Sequence, residues 1–168
     1  MVTRASGRVV ALFLAATLAL GHLSPLAAAQ AQPRRGDPAA RRDLSVDESM
    51  GGHTLARHVG KTDAELADRL RRERVSAAST YPDRATAERV VGAAIAAGGG
   101  TLSNWERRRG RRPNLVLRYV DPGKRPLGRS LKRGRQASQP ATRALVVLEW
   151  HERANKYFVL TSYPETDR

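Results

Sequence analysis

The sequence predicts an α+β fold in which N-terminal helices pack on a C-terminal antiparallel sheet. Three observations carry that reading. Early in the chain, apolar residues recur at helical spacing behind capping residues: Leu66, Ala67 and Leu70 follow Thr62 and Glu65, and Ala87, Val90, Val91, Ala94 and Ile95 follow Asp83. From Asn114 onward the period changes to two, with Leu115, Leu117 and Tyr119 alternating against Val116, Arg118 and Val120. Cysteine is absent, so whatever forms must hold together without disulfides.

Residues 1–29 precede the domain. Arg4 and Arg8, the apolar run Val9 to Leu20, Pro25 and the small residues Ala27-Ala28-Ala29 have the order of a secretory signal peptide. The run is short for a membrane span, which needs about 20 residues. Cleavage near Ala29 or Ala31 and secretion are therefore expected, an uncleaved anchor being the other reading, with no membrane association after cleavage. Residues 30–43, with Pro33, Pro38, Gly36 and paired arginines, bury too little to offset chain entropy and read as a disordered linker. Leu44, Val46 and Met50 restart an apolar rhythm, so the folded domain is placed at 44–168 and is long enough for one core.

The first helix is expected over 63–74. Thr62 and Glu65 have the spacing of a capping box, in which each side chain satisfies the other's orphan backbone N–H. Arg69 falls about 60° round the wheel from Leu66, at the edge of the apolar stripe, where its stem covers the core and its guanidinium can reach a cleft. Residues 75–81 read as a connector, with Tyr81-Pro82 disfavouring helix at Tyr81. A second helix starts after Asp83 and is stopped by Gly98-Gly99-Gly100; a third, 101–109, carries Trp105 as a core anchor rather than a stacking platform. After the strand around 115–120, Asp121-Pro122-Gly123 makes a turn, and 124–135 reads as a Gly- and Arg-rich loop. Residues 144–150 and 157–163 form a hairpin across a five-residue loop. On its last strand, alternation puts Tyr157, Val159, Thr161 and Tyr163 on one face and Phe158, Leu160 and Ser162 on the other. Thr161 and Tyr163 then point the same way, about 6.6 Å apart along the strand.

Removing residues 1–29 takes two arginines and no acids from a formal charge of +14, leaving +12. That excess favours a polyanionic partner such as nucleic acid, or an anionic surface, over a neutral one. The 124–135 stretch can track phosphates or simply be a solvated face; it lacks the aromatics of a single-strand platform. Without cysteine there is no thiolate nucleophile and no Cys-based zinc site. Walker, GxSxG and HExxH motifs are also missing. His53 and His58 are one residue too far apart for an i,i+4 zinc pair, and Gly60 argues against a helix there. No metal or cofactor is expected.

Several stretches together resemble the bacterial ribonuclease A-like toxin domain found at the C-terminus of contact-dependent inhibition proteins. They are Gly52-His53, His58-Val59-Gly60-Lys61-Thr62 preceded by Arg57, Leu66 to Leu70, Ala78-Ser79-Thr80, Ala85 to Val90, Gly128-Arg129, and Val159-Leu160-Thr161-Ser162-Tyr163-Pro164. The resemblance covers essentially all of 44–168. It implies a kidney-shaped ribonuclease A-like fold without disulfides. It further implies an active site of His58, Arg69, Thr161 and Tyr163, and a protein partner of the immunity type. Members of that family stand at the end of very large exported toxins, whereas this domain follows its own signal peptide.

Those side chains suit RNA cleavage by transphosphorylation through a 2′,3′-cyclic phosphate. Histidine's ordinary pKa of ~6.5 fits either proton-transfer role. A bidentate, always charged arginine fits the developing charge on phosphate oxygens. The first candidate for the complement of His58 is His53, with Tyr163 and His151 as the others. Lys61, Arg129, Lys132 and Arg133 are the cations expected to bind RNA. The expectation is thus a secreted, monomeric, metal-independent endoribonuclease. A secreted cationic protein that coats nucleic acid or envelope surfaces without catalysis is the alternative.

Overall fold

The computed structural model describes residues 41–166. The expected signal peptide and most of the linker lie outside the described residues. Five α-helices and six strands follow in the order α1 (Leu44–Ser49), α2 (Thr54–His58), α3 (Asp63–Arg72), β1 (Ala77–Thr80), α4 (Arg84–Ala97), α5 (Gly99–Glu106), β2 (Leu115–Val120), β3 (Gly128–Lys132), β4 (Gln139–Ala141), β5 (Arg143–His151) and β6 (Lys156–Glu165). The strands make two antiparallel three-stranded sheets, ordered β1-β3-β4 and β2-β5-β6, where a single C-terminal sheet was expected. The class is α+β. Among the described residues no helix is long and apolar enough to cross a membrane.

Local chemistry accounts for the helix starts. Asp43 caps α1 through Ser45 N–H, and Asp83 caps α4 through Thr86 N–H. Both arms of the Thr62/Glu65 capping box are made at α3. Each sheet has its own apolar cluster. Leu66 and Leu70 of α3 pack with Ala78 and Leu131 on the first sheet. The larger cluster joins Ala87, Val90, Val91 and Ala94 of α4 and Trp105 of α5 to Leu117, Val146, Leu148 and Val159 of the second. Trp105 donates its indole N–H to Pro113 O at 2.7 Å, which is how a buried tryptophan keeps its polar atom satisfied.

Six expectations need correction. Residues 77–80 are strand, not connector, because Ala77 to Thr80 pair in register with Lys132 to Arg129. The same pairing puts β3 inside the stretch read as a loop. Histidines 53 and 58 bracket α2, which ends just before Gly60 takes φ +66° and so escapes the glycine that argued against it. Gly98 does end α4, but Gly99 and Gly100 open α5 instead of breaking the chain. His151 belongs to β5, and the hairpin turns through Glu152–Ala154 and Asn155, which is left-handed at φ 47°.

The last correction is a β-bulge. Val147 pairs with Thr161 and Leu148 with Val159, so Leu160 is the extra residue. Cross-strand partners share a face. Through β5, Tyr157, Val159 and Ser162 therefore share the core side, while Phe158, Thr161 and Tyr163 share the other. Thr161 and Tyr163 do point the same way, but away from Tyr157 and Val159.

Candidate active site

The bulge and the α1–α2 segment build one structure. β6 is an edge strand, whose free N–H and C=O groups need partners. Asp47 Oδ1 accepts Val159 N–H, Leu160 O accepts His53 N–H, and Thr54 Oγ1 accepts Ser162 N–H, at 2.9, 3.0 and 2.9 Å. Asp47 is fully buried and its charge is met by a two-pronged Arg42 fork at 2.9 and 2.7 Å. Gly52 makes this approach possible: a Cβ there would lie 2.5 Å from Val159 O and 2.9 Å from Asp47 O. His53 and α2 are thereby fixed against the strand that carries Thr161 and Tyr163.

From the other side, β1 grips His58. Tyr81 N–H donates to His58 O at 2.8 Å, Gly60 N–H to Tyr81 O at 2.9 Å, and the His58 ring reaches Ser79 O at 3.1 Å through Nδ1. A carbonyl only accepts, so Nδ1 carries the proton and Nε2 holds the lone pair. His58 is 6% exposed. Burial pushes its pKa down to about 4, and the nearby Arg69, His53 and Arg57 charges act in the same direction. It is therefore a neutral base at pH 7. Tyr163 lies against it, with ring centroids 5.3 Å apart and tilted by 31°. Burial raises the Tyr163 phenol above its ordinary range, so it keeps its proton. Burial and the charge of Arg57 lower the pKa of His53.

These groups share one cavity of about 550 Å³, lined by His53, His58, Arg69, Lys132, Thr161 and Tyr163 among others. That volume is in the range of small-molecule sites. Arg69 Nε donates to Glu73 Oε2 at 3.0 Å, which orients the guanidinium from the next helical turn. Its Nη1, and Thr161 Oγ1, are buried with no hydrogen-bond partner. Buried polar atoms are nearly always paired, and two orphans in one cavity mark where a ligand's acceptor oxygens would complete the bonding. Arginine and a hydroxyl around a neutral imidazole are the donor set for a phosphodiester whose neighbouring hydroxyl must lose a proton.

Of the residues singled out in the sequence, His53, His58, Arg69, Lys132, Thr161 and Tyr163 meet here. Arg129 does not line the cavity: it is held by Asp63 at 2.7 Å and by Lys61 O at 2.6 Å. Lys61 is outside as well, its N–H on Thr80 Oγ1. Arg133 donates to the carbonyls of Val75 and Glu73 and faces a neighbouring groove. His151, at the far hairpin, accepts Ala154 N–H. Sequence reasoning missed Ser79, Glu73 and Asp47. Glu73 was legible as the i+4 partner of Arg69; Asp47 acts across 112 positions and Ser79 through its backbone, so neither had a local signature. Among the described residues no cluster of three His, Asp or Glu side chains has a metal-binding arrangement.

The comparisons with known proteins point the same way. The family model of the bacterial CdiA-CT RNase A domain matches residues 52–164. A crystal structure of a CdiA-CT/CdiI complex from Y. kristensenii 33638 is similar at 31% identity and a TM-score of 0.61, covering 68% of this chain and 99% of that one. No curated protein matches the chain. With two thirds of its length inside the family model and the fold shared, the chain belongs to the bacterial CdiA-CT RNase A family, the ribonuclease A-like toxin domain of contact-dependent inhibition proteins.

Proposed function

We propose that the protein is a metal-independent endoribonuclease that cleaves RNA by transphosphorylation. The observation that carries this reading is the pairing of a neutral His58, its Nδ1–H committed to Ser79 O, with two unpartnered buried donors in the same cavity. In the reaction, His58 Nε2 takes the proton of the 2′-OH, and the 2′-oxygen attacks phosphorus as the bond to the 5′-oxygen breaks. Arg69 and Thr161 hold the phosphate oxygens as charge develops. The 5′-oxygen leaves with a proton. Two groups lining the cavity can supply it, His53 and Tyr163. The depressed pKa of His53 leaves it unprotonated at neutral pH, whereas Tyr163 retains its proton, so Tyr163 is the acid. Lys132 contacts the substrate in the cleft, with Lys61, Arg129 and Arg133 on its flanks. Residues 1–29 act as the secretion signal. The similar crystal structure is a CdiA-CT/CdiI complex, which supports a protein partner of the immunity type.

A coating protein needs only the basic surface and gives Arg69 Nη1 and Thr161 Oγ1 no role, so catalysis is the better account. Incubation of purified 30–168 with RNA in EDTA tests it. Cleavage with 2′,3′-cyclic phosphate ends, and survival of DNA, is the expected result. Strict dependence on a divalent ion, or equal cleavage of DNA, overturns it. Within the mechanism, Tyr163→Phe should slow turnover more than His53→Ala; the reverse order assigns the acid to His53.

A further inference from the structure

Beside the cleft runs a second groove, of about 510 Å³, lined by Arg71, Arg72, Arg74 and Arg133 with Glu73, Val75 and Ser76. Arg74, Val75 and Ser76 line both cavities, so the two adjoin at the entry to β1. Lys132 and Arg133 are neighbours at the end of β3, and the first lines the cleft while the second lines the groove. We infer that this groove is a second phosphate subsite, which holds the RNA backbone beyond the scissile bond. The inference rests on the ribonuclease reading of the cleft.

Its charge is the first reason. Among the described residues the one carboxylate lining the groove, Glu73, is already engaged by Arg69. Arg71 and Arg72 share one partner, the Asp68 carboxylate, and both arginines are mostly exposed. Arg133 is held by two carbonyls, Val75 O and Glu73 O at 3.0 and 2.6 Å, and is neutralised by neither. Four guanidiniums thus face solvent across a groove whose acids are outnumbered, an arrangement that attracts a polyanion. Its rigidity is the second reason. Arg133 N–H also donates to Ser76 O, so three hydrogen bonds tie residues 73–76, which line the groove, to the residue that follows β3. Among the described residues no aromatic side chain lines the groove, so the contact is to backbone phosphate, independent of sequence.

Arg71→Ala/Arg72→Ala tests the proposal, because these side chains line the groove and not the cleft. Cleavage of a dinucleotide should be unchanged, while kcat/KM for an eight-nucleotide RNA should fall about tenfold. The log–log salt dependence of octamer affinity should flatten by roughly 1.4, two single-strand phosphate contacts at about 0.7 each. Arg108→Ala/Arg109→Ala, which removes the same charge from exposed sites after α5, is the control and should move neither value. Equal losses on both substrates, or equal losses in the two double variants, overturn the subsite. If the parent cleaves no RNA, the catalytic reading fails by itself. The groove is then still read by octamer binding to His58→Ala protein with and without Arg71 and Arg72. Unchanged affinity there refutes it.

Discussion

Two clusters of buried polar atoms flank β6, and they differ in one respect. Around Asp47 each buried group has its partner: the carboxylate takes three hydrogen bonds, Thr54 takes Ser162 N–H, and Ser162 Oγ pairs with the Tyr81 hydroxyl at 2.7 Å. In the cleft, Arg69 Nη1 and Thr161 Oγ1 have none. A satisfied network holds the fold together and is expensive to break; an unsatisfied one stores binding capacity for a ligand. Substitutions in the two clusters should therefore separate into losses of stability and losses of turnover.

The largest effect belongs to the cleft. His58→Ala should lower kcat/KM by on the order of 10²–10⁴ while octamer affinity at fixed salt changes little. Single-turnover cleavage alongside binding measures both. Normal turnover would remove His58 from the mechanism and, with it, the contrast between the clusters. Next comes the network. Asp47→Ala strands Arg42 and leaves Val159 N–H unpartnered, which should cost about 2–4 kcal/mol in urea unfolding, a range lowered from that of a fully buried pair because Arg42 is partly exposed. Activity per folded molecule should be retained. A variant as stable as the parent would show that the network contributes nothing net.

How far these clusters were legible in the sequence follows from how local each signal is. The capping box at Thr62 and Glu65 and the cap at Asp83 satisfy backbone groups within three residues, so both helices could be read directly. Strands β1 and β3 could not. Ala77 to Thr80 is a four-residue run of small side chains, and β3 was masked by its charges; β1 is a strand through its pairing with β3, and β3 through its pairing with β1 and β4. The bulge at Leu160 is subtler. Alternation along β6 correctly paired Thr161 with Tyr163, two residues on the same side of the irregularity, and misplaced Tyr157 and Val159, which lie before it. The meeting of His58 with Tyr163 was legible only through family resemblance, because it depends on Asp47, Gly52 and Ser79 acting across the fold.

Acid offers a third test. Free histidine titrates near ~6.5, and folded His58 near about 4. Between those values the unfolded chain binds a proton that the folded one refuses, so stability is present above pH 6.5 and is lost as pH falls toward 4. From pH 7 to 5 the loss from this group is roughly 2 kcal/mol. His53, shifted in the same direction, adds to it. The urea midpoints at the two pH values should lie closer together in His58→Ala than in the parent. An equal gap in the two proteins would mean that burial does not depress the imidazole.

The smallest effect sharpens the comparison most. Thr161→Val keeps shape and volume and deletes only a hydroxyl that is buried without a partner. In a satisfied network such a change costs stability, because the abandoned partner stays buried. Here no partner exists, so the variant should be more stable than the parent by about 1 kcal/mol. Turnover should fall on the order of 100-fold, the lower end of what removing one donor from a preorganised anion site costs. Thermal unfolding and initial rates on the same preparation read the two numbers together, and opposite signs are the outcome that matters. Destabilisation with normal turnover would instead place Thr161 in the structural network with Thr54 and Ser162. Arg69 would then hold the phosphate oxygens without Thr161.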